Sequence, residues 1–370
     1  MKRDPVALAR ELLAFNTINP PGNESECARY LGRLLENAGF STRTFDFAPG
    51  RTSLVATLPG NGSRPPICFT GHLDTVPLGA TPWCHDPFAG EVAGDRLYGR
   101  GASDMKAAVA AMVVMAGRMA GLPRRSAGLT LVFTAGEETS CQGARHLANT
   151  PGALGPAGAL VVGEPTGNTA VVAHKGCVRF AITTRGVTAH ASMPEAGDNA
   201  IYKAADLVTR LRRLDFGVPS HPLLGAPTLN VGTIEGGMNI NSVPDWTRIG
   251  VDIRLLPGQT ENAIRRRLLE VCGGDVEIER LEGAGSVQTD PEHPWIREVL
   301  ALAGGAPQGA PYFTDASVLT PALGDLPTVI LGPGEAEQAH TTDEYCRVSR
   351  LEAATELYVR IAEAWCGAPG

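Results

Sequence analysis

None of the eight cysteines stands in a Cys-x-x-Cys pair; they are scattered singly from Cys27 to Cys366. That spacing argues against a structural zinc knot and a disulfide frame, and predicts reduced thiols in a cytoplasmic protein. A basic stripe is missing too. The densest basic run, Arg265-Arg266-Arg267, falls inside a predicted helix, and the net charge is -7. Nucleic-acid binders need clustered Lys and Arg against phosphate, so no nucleic-acid partner is expected. No apolar run reaches the length of a membrane span, so no membrane partner is expected either. The opening Met1-Lys2-Arg3-Asp4-Pro5 leads into an amphipathic stretch with Arg10, Glu11 and Asn16. Without an apolar stretch there, no secretory signal is predicted.

What is present suffices for sizeable cores: 370 residues with 43% hydrophobic content favour two domains over one. Helices are predicted over about Pro5–Phe15 and Ser25–Ala38, the latter stopped by Gly39. Strand-like runs follow at Phe40–Phe45, Leu54–Leu58 and Ile67–Thr70. Leu129–Thr134, Ala159–Val162 and Thr328–Leu331 are short continuous apolar runs, as in strands covered on both faces. Ala107–Met119 reads as a helix, and Ser349 with Glu352 reads as a capping box opening a last helix through about Trp365. Such alternation predicts an α/β sandwich with a mixed, largely parallel central sheet.

The middle of the chain reads differently. Strand-like Arg179–Thr184, Thr228–Ile234, Thr247–Leu255 and Asp275–Leu281 enclose helical Ala200–Leu214 and Gln259–Val271. The order β-α-β-β-α-β is that of a ferredoxin-like α+β unit. Residues 177–287 are therefore expected to form an inserted domain, with 1–176 and 288–370 forming the first.

The ends of the buried strands carry the chemistry. Ile67–Thr70 runs into Gly71-His72-Leu73-Asp74, Leu129–Ala135 into Gly136-Glu137-Glu138, and Ala159–Val162 into Gly163-Glu164. Thr328–Leu331 leads through Gly332-Pro333-Gly334 to His340, and Asp104 stands where a helix begins. Open α/β sheets bind ligands beyond the carboxyl ends of their strands. Imidazole and carboxylate without thiolate is the donor set of a catalytic zinc or a similar divalent ion. His72, Asp104, Glu138, Glu164 and His340 are the first-rank donors, with Glu137 and Asp74 behind them. If Asp104 bridges, they make two ions with three ligands each, and water trapped between such ions ionises near neutral pH to become a nucleophile.

Each piece alone has a plainer reading: a strand-end His as a hydrogen-bonded core residue, Glu137-Glu138 as a solvated helix start, Asp104 as an N-cap. Their joint order is what points to a metal site. A nucleotide site at Gly99–Gly101 is disfavoured, because Gly-x-Gly-x-x-Asp lacks the third glycine of that fingerprint.

His72-Leu73-Asp74-Thr75-Val76-Pro77, Tyr98-Gly99-Arg100-Gly101-Ala102-Ser103-Asp104-Met105-Lys106, Gly136-Glu137-Glu138 and His340-Thr341-Thr342-Asp343-Glu344 together resemble the M20 metallopeptidases. The match is with the acetylornithine deacetylase and succinyl-diaminopimelate desuccinylase branch, and it extends along essentially the whole chain. The resemblance implies a zinc-peptidase-like catalytic domain with a lid and dimerisation domain, working as a homodimer. It implies two divalent ions, zinc first, with cobalt or manganese compatible. His72, Asp104 and Glu164 would hold one ion, and Asp104, Glu138 and His340 the other.

Roles follow from the same resemblance and from chemistry. Asp74 is expected to accept the second ring N–H of His72 and fix its tautomer. Glu137 is expected to take the proton of the nucleophilic water and deliver it to the leaving amine. In Gly186-Val187-Thr188-Ala189-His190-Ala191-Ser192, His190 resembles the residue that stabilises the oxyanion from a partner subunit. Asn241 and Arg254 resemble contacts to the substrate carboxylate, which suits the planar fork of Arg254; the bland alternative for Arg254 is an ion pair. His85, His146, His221 and His293 are expected to be structural or surface residues. His174 could support the site, and Thr314-Asp315 resembles a pocket-lining segment.

The expected reaction is hydrolysis of the amide of a small N-acyl amino acid. In this family a Glu at position 164 accompanies deacylases and carboxypeptidases, and an Asp accompanies aminopeptidases and dipeptidases. A metallo-carboxypeptidase or dipeptidase is the nearest alternative, and a metal-free binding protein on the same fold a remote one. Loops such as Pro77–Asp86 and Pro194–Asp198 would shape the pocket.

Overall fold

Short apolar runs bounded by glycine and proline form the central strands. The computed structural model describes residues 3–122, 124–274 and 276–367. The start at Met1-Lys2, the residues after 367, and Asp275 at the head of a predicted strand lie outside the described residues.

Contacts divide the chain into two units. The first comprises Met1–Ala173, Gln288–Gly309 and Thr314–Gly370; the second comprises His174–Val287 and Ala310–Phe313. His174–Gly176 and Ala310–Phe313, read from the sequence as part of the first, belong to the second, where the Lys175 N–H donates to the Ala310 carbonyl at 3.0 Å.

In the first unit, Ile67–His72, Leu129–Thr134 and Ala159–Val162 are buried at every residue, as strands covered on both faces must be. Ile67–His72 lies between the other two and runs parallel to both. Thr328–Ile330 pairs in parallel with Ala159–Val162, while Arg51–Leu58 and Ser41–Ala48 extend the other side in antiparallel fashion. The parallel strands therefore deliver their carboxyl ends to one edge, where α/β sheets place ligands. The strand starting at Ile67 continues two residues past the predicted end, so His72 is its last residue.

Helix Ala107–Ala120 is buried along nearly its whole length, and its small residues let it lie close to the sheet and to helix Val348–Cys366. Methionines of the preceding turn and of the helix itself reach the sheet beside two glycines. A Cβ on Gly71 would stand 2.5 Å from Met105 Cε, and one on Gly163 2.5 Å from Met112 Cε. At Gly163 the short Ala108 Cβ, 2.9 Å away, has no room to give, so glycine there is a packing requirement.

The capping box predicted at Ser349 does not form. Ser349 lies inside helix Val348–Cys366. Its N–H and hydroxyl donate to Asp95 at 2.8 and 2.7 Å, so a distant carboxylate supplies the cap. No helix among the described residues is long and apolar enough to cross a membrane.

The second unit is an antiparallel sheet ordered Thr228–Gly236, Trp246–Leu255, Gly176–Arg185, Val276–Ala284. Helices Ala200–Leu211 and Glu261–Cys272 fall between its strands in sequence, giving the ferredoxin-like order. Asn199 accepts the N–H groups of Ile201 and Tyr202, and Thr260 that of Ala263, which starts both helices. Along Trp246–Leu255 buried residues alternate with half-buried ones, the period of a strand with one core face. Phe180, Ile182, Ile249 and Val251 pack there against Leu207 and Leu268. Truncating fully buried Phe180 to Ala is expected to cost about 3–5 kcal/mol, measured by urea unfolding of the full chain. A loss under about 1 kcal/mol would show that this core is not close-packed.

Candidate metal centre

The edge formed by the parallel strand ends gathers imidazoles and carboxylates. His72 ends one strand, Glu137 and Glu138 follow the next through Gly136, and Glu164 follows the third through Gly163. Asp104 comes from the turn before helix Ala107–Ala120, and its peptide bond to Met105 is cis. His340 arrives on the segment before Tyr345–Arg347, with a left-handed φ of 64° that is uncommon for a residue with a side chain.

Two groups of potential ligand atoms result, each within 4.8 Å: His72, Asp104 and Glu164, and Asp104, Glu138 and His340. Asp104 belongs to both. Its Oδ1 lies 2.9 Å from His72 Nε2 and its Oδ2 3.6 Å from His340 Nε2. Glu164 Oε2 stands 3.8 Å from His72 Nε2, and Glu138 Oε2 3.2 Å from His340 Nε2. His72 is almost fully buried, whereas the His340 side chain is half exposed.

Electrostatics make this cluster a candidate cation site. Burial and the charge on Asp104 lift the carboxyls of Glu138 and Glu164 above the ordinary range. Burial also pulls on Asp104, but its hydrogen bond and ion pair with His72 hold it below its usual value. So many buried carboxylates are stable as anions only beside positive charge. Imidazole nitrogens and carboxylate oxygens suit zinc and similar dications, so the donor set fits the implied ions.

Around these donors the structure departs from expectation at Asp74. The His72 Nδ1–H is accepted by the backbone carbonyl of Asp74 at 2.9 Å, while its carboxylate stands 3.7 Å away. That carboxylate is engaged elsewhere. It accepts the N–H groups of Glu137 and Glu138 at 3.0 and 3.2 Å and the Asn19 side-chain amide at 2.9 Å. Asp74 thus still sets the tautomer of His72, but through its main chain, and its side chain holds the Glu137-Glu138 turn.

Glu137 lies outside both ligand groups. It belongs to a third, with Cys141 and Asp315, all buried. Burial and the neighbouring charge of Glu164 raise its carboxyl well above the ordinary range. The Cys141 thiol lies 3.8 Å from Glu137 Oε1, and Asp315 accepts a hydrogen bond from the Thr134 hydroxyl at 2.5 Å.

His190, Asn241 and Arg254 belong to the second unit. His190 Nδ1 accepts the Ser192 N–H at 3.2 Å and lies 2.8 Å from the Ser192 hydroxyl, so these contacts engage one ring nitrogen and not Nε2. The Asn241 carbonyl accepts the Ala191 N–H at 3.0 Å, tying the two segments together. Asp252 holds Arg254 by its Nε at 2.8 Å, so the ion pair considered for it exists, and Phe313 lies beneath the guanidinium. His174 is buried, and burial lowers its ring to about 4, leaving it neutral at pH 7. His85 stacks on Tyr98, and among the described residues His85, His146, His221 and His293 join no ligand group.

Sequence reasoning passed over Asn19 and Glu344. Asn19 precedes Pro20-Pro21 and reads as a turn residue; only its partners Asp74 and Thr139 reveal its place. Glu344 closed a quoted motif without a role, yet its buried carboxylate accepts several main-chain N–H groups of the Asp104 turn.

Residues 68–364 match the model of peptidase family M20/M25/M40. The chain is 32% identical over 383 residues to acetylornithine deacetylase of Proteus mirabilis, covering 98% of this chain and 96% of that protein. Its fold is similar to an M20 family metallo-carboxypeptidase of Sulfolobus solfataricus, with TM-score 0.81, 19% identity and 98% and 99% of the two chains covered. It is also similar to a dinuclear metal-binding M20 peptidase of Bacillus subtilis, with TM-score 0.74, 17% identity and 98% of each chain covered. With that match spanning most of its length, the chain belongs to peptidase family M20/M25/M40 and is a metal-dependent hydrolase of amide bonds.

Proposed function

We propose that the protein removes the acyl group of a small N-acylated amino acid at a centre of two divalent ions. The observation that carries this reading is Asp104, whose two oxygens face His72 on one side and His340 on the other. Ions held by these groups, zinc being the best suited, supply Lewis acidity and water of lowered pKa.

The chain's own residues do the remaining work. Glu137 takes the proton of the attacking water as its oxygen bonds to the acyl carbon. The C–N bond then breaks, and Glu137 returns that proton to the leaving nitrogen. His190, with Nε2–H as donor, is suited to stabilise the oxyanion formed at the centre of a partner subunit. Arg254, oriented by Asp252, is suited to grip the substrate carboxylate, with Asn241 beside it.

The similarity to acetylornithine deacetylase along nearly the full chain supports an N-acetyl amino acid as substrate. A metallo-carboxypeptidase is the second reading, supported by the fold likeness to one. Assaying the zinc-loaded protein on N-acetyl amino acids, N-succinyl-diaminopimelate and dipeptides separates them. Preference for the N-acyl compounds by at least about tenfold in kcat/KM, equivalent to about 1.4 kcal/mol, is expected. Faster turnover of dipeptides would overturn the deacylase reading.

The reading places the enzyme in the cytoplasm and makes it a homodimer through the second unit. Met238 and Ile240 there are 77% and 99% exposed, beside the segment that bears Asn241. Arg254→Lys keeps the charge but loses the fork, so KM for N-acyl amino acids should rise roughly 10-fold or more with kcat little changed. An unchanged KM removes Arg254 from the site.

A further inference from the structure

The segment that carries His340 also carries Glu344, and the environment of Glu344 is unusual for an acid. Its carboxylate is fully buried, and its hydrogen-bond partners are all donors. Oε1 accepts the N–H groups of Ser103 and Asp104 at 2.8 and 3.0 Å. Oε2 accepts the Gly101 N–H at 2.9 Å and an Arg100 guanidinium N–H at 2.7 Å. Three main-chain N–H groups of one turn and a guanidinium thus converge on one carboxylate, in the manner of a backbone nest.

Other bonds fix the same two segments to each other. The Gly99 N–H donates to the Glu344 carbonyl at 2.9 Å, and the Ser103 hydroxyl donates to the Tyr345 carbonyl at 2.8 Å. Glu344 therefore joins the turn presenting Asp104 to the segment presenting His340. His72 ends a buried parallel strand, and Glu164 follows another by two residues, so neither hangs on the Glu344 joint.

We infer that Glu344 is a positioning residue for the ion held by Asp104, Glu138 and His340, clamping the Asp104 turn against the His340 segment. It touches neither substrate nor ion. Its work is to hold two of that ion's three donors in one geometry, whereas the ion at His72 and Glu164 shares only Asp104. Loss of the clamp should therefore weaken the two ions unequally. The inference rests on the two-ion reading proposed above.

The test uses the full-length metal-free protein, titrated with zinc by calorimetry and with cobalt by visible absorption. Wild type should bind two ions in separable steps. Glu344→Gln keeps the shape but turns an amide NH2 toward groups that are themselves donors. It should bind the first ion within about threefold of wild type and the second about 10–100-fold more weakly, the range found when groups supporting metal ligands are replaced. The cobalt absorption of the second step should change, while that of the first stays as in wild type. Should Glu344→Gln fail to fold by circular dichroism, Glu344→Asp keeps the charge with a shorter reach and should show the same inequality to a smaller degree. Two ions bound with wild-type affinity by the folded variant, or both weakened equally, overturns the clamp. Fewer than two ions on wild type instead overturns the two-ion reading itself.

Discussion

Glu137→Gln should keep both ions bound and lower kcat by about 10²–10⁴, or roughly 3–5 kcal/mol of transition-state stabilisation. The substitution changes one oxygen to nitrogen and removes only the ability to take up and return a proton. Glu137 belongs to neither group of ligand atoms built around Asp104, so metal content should stay as in wild type. Its main chain is held independently of its side chain, because the Asp74 carboxylate accepts the Glu137 N–H. Burial near Glu164 keeps the carboxyl basic enough to receive a proton from water. Metal analysis and steady-state kinetics on one preparation check this. A metal-replete variant with near-normal turnover would remove Glu137 from proton transfer.

The second large effect falls on Asp104. In Asp104→Asn one of the two oxygens becomes an NH2 group, which offers hydrogens where a cation needs a lone pair. Because Oδ1 faces His72 and Oδ2 faces His340, either amide orientation spoils one half of the centre. The variant is expected to hold no more than one ion and to lose roughly 10³-fold or more in turnover, several kcal/mol being what a metal contributes to charge stabilisation. Dialysis against zinc followed by metal analysis gives the count. Two ions per chain in this variant would show that Asp104 does not bridge.

What could be read from the sequence follows from where periodicity and chemistry coincide. The buried strands announce themselves as continuous apolar runs, and the glycines beside His72 and Glu164 mark places where a methionine packs without room for a Cβ. His72, Glu138 and Glu164 sit at short offsets from those runs, whereas Asp104 and His340 are legible only through the motifs around them. The supporting bonds join residues far apart in the chain and leave no local trace. Asn19 reaches Asp74, Glu344 reaches Gly101, and Asp95 caps a helix beginning more than two hundred residues later. The same limit explains Asp74: an offset of two from His72 suggested a side-chain bond, but its carboxylate is taken by the Glu137-Glu138 turn, a competitor visible only in the fold.

Anomalous diffraction at the zinc edge, from crystals of the zinc-loaded protein, reads the centre directly. Two peaks about 3.5–4 Å apart are predicted, with Asp104 reaching both, His72 and Glu164 on one, and Glu138 and His340 on the other. A lone peak, or a pair placed so that Asp104 touches neither, would contradict the account.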